Sequence, residues 1–175
     1  MYFLIGLILT GVALYLLLKG RAPGQIFSLF NLSEGKYELV SSDLGKGHPR
    51  RRLGGFGLGG EPDAIFKGKR TGQIVVGEYK NRKHKGLVRR REFFQVQLYL
   101  GLIRESFGTQ NVVGILAFND GLVQIAYDHE VFLALVGLRG EVLTSLQKKK
   151  AQDKRPLHRR INIASRNQRI RFDGR

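Results

Sequence analysis

The chain has 175 residues, with 30 Lys and Arg against 14 Asp and Glu, a formal net charge of +16 and no cysteine. That length bounds one domain with appendages, large enough to bury a core. The missing thiols exclude disulfides, zinc–thiolate centres and iron–sulfur clusters, and the positive excess favours a polyanionic partner, nucleic acid or anionic lipid, without specifying a fold.

Residues 2–18, YFLIGLILTGVALYLLL, are uncharged and apolar. The run is near the lower length limit for crossing a bilayer core of roughly 30 Å. It lacks the basic start and small-residue cleavage site of a secretory signal. Residues 1–19 are therefore expected to be a transmembrane anchor that meets the lipid bilayer through residues 2–18. Lys19, Arg21 and the basic bulk behind them give a single-pass protein of the cell inner membrane with its C-terminal domain in the cytoplasm.

Residues 20–37 read as a juxtamembrane linker, opened by Gly20, Pro23 and Gly24. Within residues 26–40 a short apolar run precedes KYELV, compatible with a strand or a helix end. Residues 41–60 include GKGHPRRRLGGFGLGG, expected to be a mobile loop that leads into the core. Two strand-like runs, residues 63–66 and 73–79, flank the turn-forming KGKRTG and predict a β-hairpin. Residues 88–107 follow with helical spacing, Phe93, Val96, Leu100, Ile103 and Phe107 falling on one face. VVGILAF at 112–118 predicts a strand, Asn119-Asp120-Gly121 a turn, and residues 122–127 a returning strand. Asp128 then suits the N-cap of a helix running to about Lys148. This order predicts an α/β domain over residues 38–147, a central mixed β-sheet flanked by helices. Residues 148–175 carry eleven Lys and Arg against two Asp and read as a basic tail, partly disordered or loosely packed. Such a tail suits phosphate, and near a membrane it suits anionic lipid as well.

Alternation along the second strand sends Val76, Glu78 and Lys80 to one face and Val75, Gly77 and Tyr79 to the other. The hairpin brings Asp63 beside Glu78. Adjacent carboxylates repel, so a hard divalent cation, Mg²⁺ or Mn²⁺, is the natural compensation. Lys80 then stands ready to orient an attacking water, lower its pKa or neutralise a phosphate. The plain alternative is a surface Glu–Lys pair on an edge strand. Against it, a Glu and a Lys at the end of the apolar run VVGEYK are costly to bury unless paired with each other or with metal.

Pro62-Asp63, Glu78-x-Lys80 and Gln95-x-x-x-Tyr99 together resemble the PD-(D/E)xK nuclease superfamily over roughly residues 38–127. The Gln-x-x-x-Tyr element is similar to that of its RecB-like branch, which includes the CRISPR-adaptation exonucleases. The resemblance implies a restriction-endonuclease-like core that hydrolyses phosphodiester bonds of DNA. By it Asp63 and Glu78 hold the metal with help from the Tyr79 carbonyl, and Lys80 is the catalytic lysine. The upstream ligand is best matched by His48, with Glu38 and Asp43 as alternatives, and Glu61 is a neighbour without a role. Gln95 and Tyr99, four apart and so on one helical face, meet a phosphate or an unpaired base. Arg50, Arg51, Arg52, Arg89, Arg90 and Arg91 add phosphate affinity. Those exonucleases also carry a cysteine-bound iron–sulfur cluster, three of its ligands near the C-terminus. RPLHRRINIASRNQRIRFDGR resembles the approach to that cluster but has no cysteine. The rival reading is a membrane-anchored DNA-binding protein that has the fold without the activity.

Overall fold

The computed structural model of the protein describes residues 23–45, 48–163 and 165–173. Five strands make the central sheet: β1 (Tyr37–Ser42), β4 (Ala64–Gly68), β5 (Ile74–Lys80), β6 (Val112–Phe118) and β7 (Gly121–Ala126), in the order β1-β4-β5-β6-β7. β4 runs antiparallel to both β1 and β5, β6 runs parallel to β5, and β7 returns antiparallel on β6. The parallel step requires a crossover, and helix α2 (Arg90–Phe107) supplies it. The mixed sheet expected from the order of elements is therefore present, with helices on both faces.

The strands are apolar on both sides, and each side has its own cover. Ile65, Val76, Leu116 and Ile125 face the α2 layer and pack with Phe93, Val96, Leu100 and Ile103. Ala64, Phe66, Val75, Val113 and Ala117 face the opposite way and are covered by Ile26, Phe27 and Phe30. Those covering residues belong to α1 (Pro23–Leu29) and the turn after it. The linker assigned to residues 20–37 is thus corrected over its described part, because residues 23–30 are sheet cover. Pro23 is the first described residue of this helix, a position where its missing N–H costs nothing. Phe27 and Phe30 lie 5.2 and 5.5 Å from Phe66 between ring centroids. Gly77 on β5 makes room for Phe30, since a Cβ there would stand 2.6 Å from its ring.

Three further expectations change. Within the glycine-rich stretch, β2 (Leu53–Gly55) and β3 (Leu58–Gly60) form an antiparallel ribbon anchored by buried Leu53, so that part is no mobile loop. The helix after Asp128 is two helices, α3 (His129–Gly137) and α4 (Arg139–Gln147). Asp128 does cap α3, its Oδ1 accepting from the Val131 N–H at 3.2 Å. Gly137 and Gly140, both poor helix formers, flank the break at Leu138. The tail is not loose throughout. Asn167 accepts from the Ala126 N–H and donates to its carbonyl, both at 3.0 Å, Ile161 is buried, and Phe172 bridges to Val88. These contacts hold the C-terminal segment against β7 and the approach to α2. Among the described residues no helix is long and apolar enough to cross a membrane, and the anchor expected at residues 2–18 lies outside them.

Candidate functional site

The site forms where β4 begins and β5 ends. Ala64 pairs with Gly77 in the antiparallel register, so one step further sets Asp63 opposite Glu78. Two donors hold the Asp63 main chain, the Ser42 hydroxyl at 2.9 Å and the Asp43 N–H at 3.1 Å, both to its carbonyl. The Asp63 carboxylate accepts from the Tyr79 N–H at 2.6 Å. The main chain of β5 thereby aims one acid beside the other.

Glu78 is 3 % exposed. Its Oε1 accepts from Lys80 Nζ at 2.8 Å and from Gln95 Nε2 at 2.8 Å, and Lys80 also donates to Gln95 Oε1 at 3.1 Å. The three side chains close a triangle. Its chemistry sets the Gln95 amide orientation, because the reversed amide would set an oxygen against the carboxylate and an N–H against the ammonium. Every one of these donors reaches Oε1, while Oε2 is buried with no hydrogen-bond partner. A buried anionic oxygen left without a donor costs about 1–3 kcal/mol or more.

Electrostatics point the same way. Burial first, and then the Glu78 charge, push the Asp63 carboxyl up to about 7, against the pull of the Tyr79 N–H. Burial raises Glu78 as well, opposed by Lys80 and then by the Asp63 N–H. Asp43 is raised by burial, with Arg50 pulling it down, and its charge reaches Asp63, Glu78 and Tyr99. The donor set is therefore two hard carboxylates, one oxygen unpartnered, with a third acid at the margin. Hard carboxylate oxygens are the ligand type that Mg²⁺ and Mn²⁺ take, so Asp63 and Glu78 are the residues that could hold such an ion. Among the described residues, no three His, Cys, Asp or Glu side chains are close enough together to ligate one ion directly. A divalent ion here would complete its shell with water, as Mg²⁺ commonly does.

Of the upstream candidates, Asp43 donates its N–H to the Asp63 carbonyl and its charge raises both Asp63 and Glu78. His48 is half-buried on the loop after β1. Glu38 stands opposite Lys67 near the far end of β1. Gln95 and Tyr99 do share a helix face, yet their polar atoms turn inward. Gln95 Nε2 donates to the Tyr99 oxygen at 3.1 Å, and the Tyr99 hydroxyl donates to the Glu61 carbonyl at 3.3 Å. Glu61, set aside in the sequence, thus contributes through its backbone, and nothing in its side-chain chemistry could have signalled that.

The arginines divide. Arg89 and Arg91 line a cavity of about 550 Å³ together with Lys80 and Gln95. Arg50 lies near enough to lower Asp43. Arg51 stacks over Phe107 at 4.3 Å and Arg90 over Phe172 at 4.9 Å, so both are partly engaged in packing. Arg52 is exposed beside the β2–β3 ribbon. Arg82, which the motif reading passed over, lines the same cavity, but Glu92 holds it in a bidentate pair at 3.1 and 2.6 Å.

No family model and no curated protein matches the chain. Among solved structures, one titled "Crystal structure of SSO0001" is similar at 22% identity and a TM-score of 0.42. The match covers 77% of this chain and 59% of that one.

Proposed function

We propose that the protein is a metal-dependent deoxyribonuclease with a restriction-endonuclease-like core, tethered to the inner membrane through residues 2–18 with its domain in the cytoplasm. The observation that carries the reading is Glu78, a buried glutamate whose Oε1 accepts from Lys80 and Gln95 and whose Oε2 is buried with no hydrogen-bond partner, opposite Asp63 in the strand register. The PD…ExK and Gln-x-x-x-Tyr residues, far apart in the chain, meet in that one cluster. Asp63 and Glu78, with the Tyr79 carbonyl, would hold Mg²⁺ or Mn²⁺, which supplies polarisation of the phosphoryl oxygens and a water of lowered pKa.

This chain's own residues do the rest. Lys80 has two of its three donors on Glu78 and Gln95, and the third is the donor available for a water or a phosphate oxygen. Gln95 keeps the ammonium and the carboxylate in register as charge builds. Arg89 and Arg91, across the shared cavity from Lys80, grip neighbouring phosphates in a salt-sensitive way.

The test uses supercoiled and linear DNA with Mg²⁺, Mn²⁺ or EDTA. The parent should cut with metal and not with EDTA, while Asp63→Ala and Lys80→Ala should bind DNA without cutting. Equal cutting by the parent and both variants would show that the chemistry lies elsewhere. Salt-sensitive binding by the parent with no cleavage under any metal assigns the chain to the non-catalytic DNA-binding reading.

A further inference from the structure

Helix α4 meets the rest of the fold through polar side chains, Arg139 donating to the Gly57 carbonyl and Glu141 pairing with Arg160. None of its nine residues is buried. Val142, Leu143 and Leu146 are 51, 44 and 69% exposed. At positions i, i+1 and i+4 they share an arc of about 100° on one side of the helix. Three aliphatic side chains this open are not explained by core packing.

The chain around that helix is mostly basic. Residues 139–160 hold eight Lys and Arg against two acids, Glu141 and Asp153. Both acids are already occupied. Glu141 takes Arg160, with Nη1 to Oε1 at 2.9 Å, and Asp153 takes Arg155 Nη2 at 2.8 Å. Neither offsets Lys148, Lys149 and Lys150, which follow directly at the helix C-terminus and are exposed. There the lysines also meet the negative end of the helix dipole.

We infer that α4 and Lys148–Lys150 dock on an anionic lipid surface, Val142, Leu143 and Leu146 entering the headgroup layer and the lysines pairing with lipid phosphates. The two halves of the patch require the same partner. Nucleic acid would satisfy the lysines and leave three aliphatic side chains in water. A protein partner would ordinarily be met by Arg and aromatic anchors, with lysine depleted. A negatively charged bilayer takes both, aliphatic groups into its interface and each nearby lysine by about 1 kcal/mol. This inference does not depend on the nuclease reading.

Because the chain has no cysteine, Leu146→Cys gives a single attachment point for an environment-sensitive fluorophore. The full chain is reconstituted in vesicles of phosphatidylcholine alone or with about 30% phosphatidylserine. The emission should shift to the blue, and iodide quenching fall, only in the anionic vesicles. The same label at Thr71→Cys, on the exposed turn between β4 and β5, should not respond. Replacing Lys148, Lys149 and Lys150 by Glu should lower the ratio of docked to free helix roughly a hundredfold or more. An unchanged emission, or an equal shift in neutral vesicles, overturns the inference. A shift produced without lipid, by raising protein concentration or adding DNA, overturns it too and gives the face to a second copy or to nucleic acid.

Discussion

Glu78 and Glu92 are buried to nearly the same degree, at 3 and 4% exposure, and each is paired with a cation. Their surroundings make them different objects. Glu92 sits in the first turn of α2, both its oxygens held by Arg82, and Oε2 also accepts the Arg89 N–H at 3.1 Å. It ties the loop after β5 to the start of the helix and has nothing left to offer. Glu78 takes the side-chain donors of Lys80 and Gln95 on one oxygen, and its other oxygen has no hydrogen-bond partner. A buried ion pair by itself is weak evidence of any role. Unequal satisfaction is better evidence, because an oxygen left bare at a cost to folding is available to a ligand that brings positive charge.

Exchange of the two glutamates tests this contrast most sharply. Glu78→Gln should reduce metal-dependent cleavage by about 10³-fold or more. It should cost less stability than Glu92→Ala, because the amide oxygen still accepts from Lys80 and Gln95. Glu92→Ala should do the reverse, costing about 2–4 kcal/mol in chemical denaturation by stranding Arg82, with cleavage per folded molecule largely kept. If Glu78→Gln destabilised as much as Glu92→Ala, the two sites would be of one kind and the distinction would fail.

A smaller effect separates them by pH. Asp63 has a folded pKa of about 7, above its ordinary value of 3.8, so the folded state binds more protons than the unfolded state between those values. Stability should therefore be highest at the acid end of that window and fall as pH rises through about 7. Asp63→Asn should flatten the fall and add on the order of 1–3 kcal/mol at about pH 8. Mg²⁺ should raise Tm more at about pH 8 than at about pH 6, where Asp63 carries a proton, and should not raise it in Asp63→Asn. A Mg²⁺ response that ignores pH would remove Asp63 from the site.

The smallest effect concerns grip. Arg89→Ala with Arg91→Ala should weaken DNA binding several-fold and reduce the salt slope by about 1–2, with little change in stability. Arg82→Ala should instead resemble Glu92→Ala, because Arg82 is already spent on its carboxylate.

Much of the site could be read in the chain because it is written in short periods. Alternation along β5 put Glu78 and Lys80 on one face, and their 2.8 Å contact is a direct consequence. Val76 and Val75 likewise went to opposite sides, one under α2 and the other under α1. The i,i+4 relation of Gln95 and Tyr99 is of the same kind and produced a real hydrogen bond. What these periods could not give is direction across the fold. Gln95 turned toward Glu78 rather than outward because β5 lies beneath that face of α2.

The strand and helix faces, the turn at Asn119-Asp120-Gly121 and the cap at Asp128 are legible in the chain because each depends on neighbours a few residues away. Long-range packing is what makes residues 23–30 cover the sheet, sets the Asp43 N–H on the Asp63 carbonyl, and brings the Glu61 carbonyl to the Tyr99 hydroxyl. It also decided which oxygen of Glu78 goes without a donor. Those outcomes depend on contacts between segments far apart in the chain, where burial and hydrogen-bond supply are set by everything packed around them.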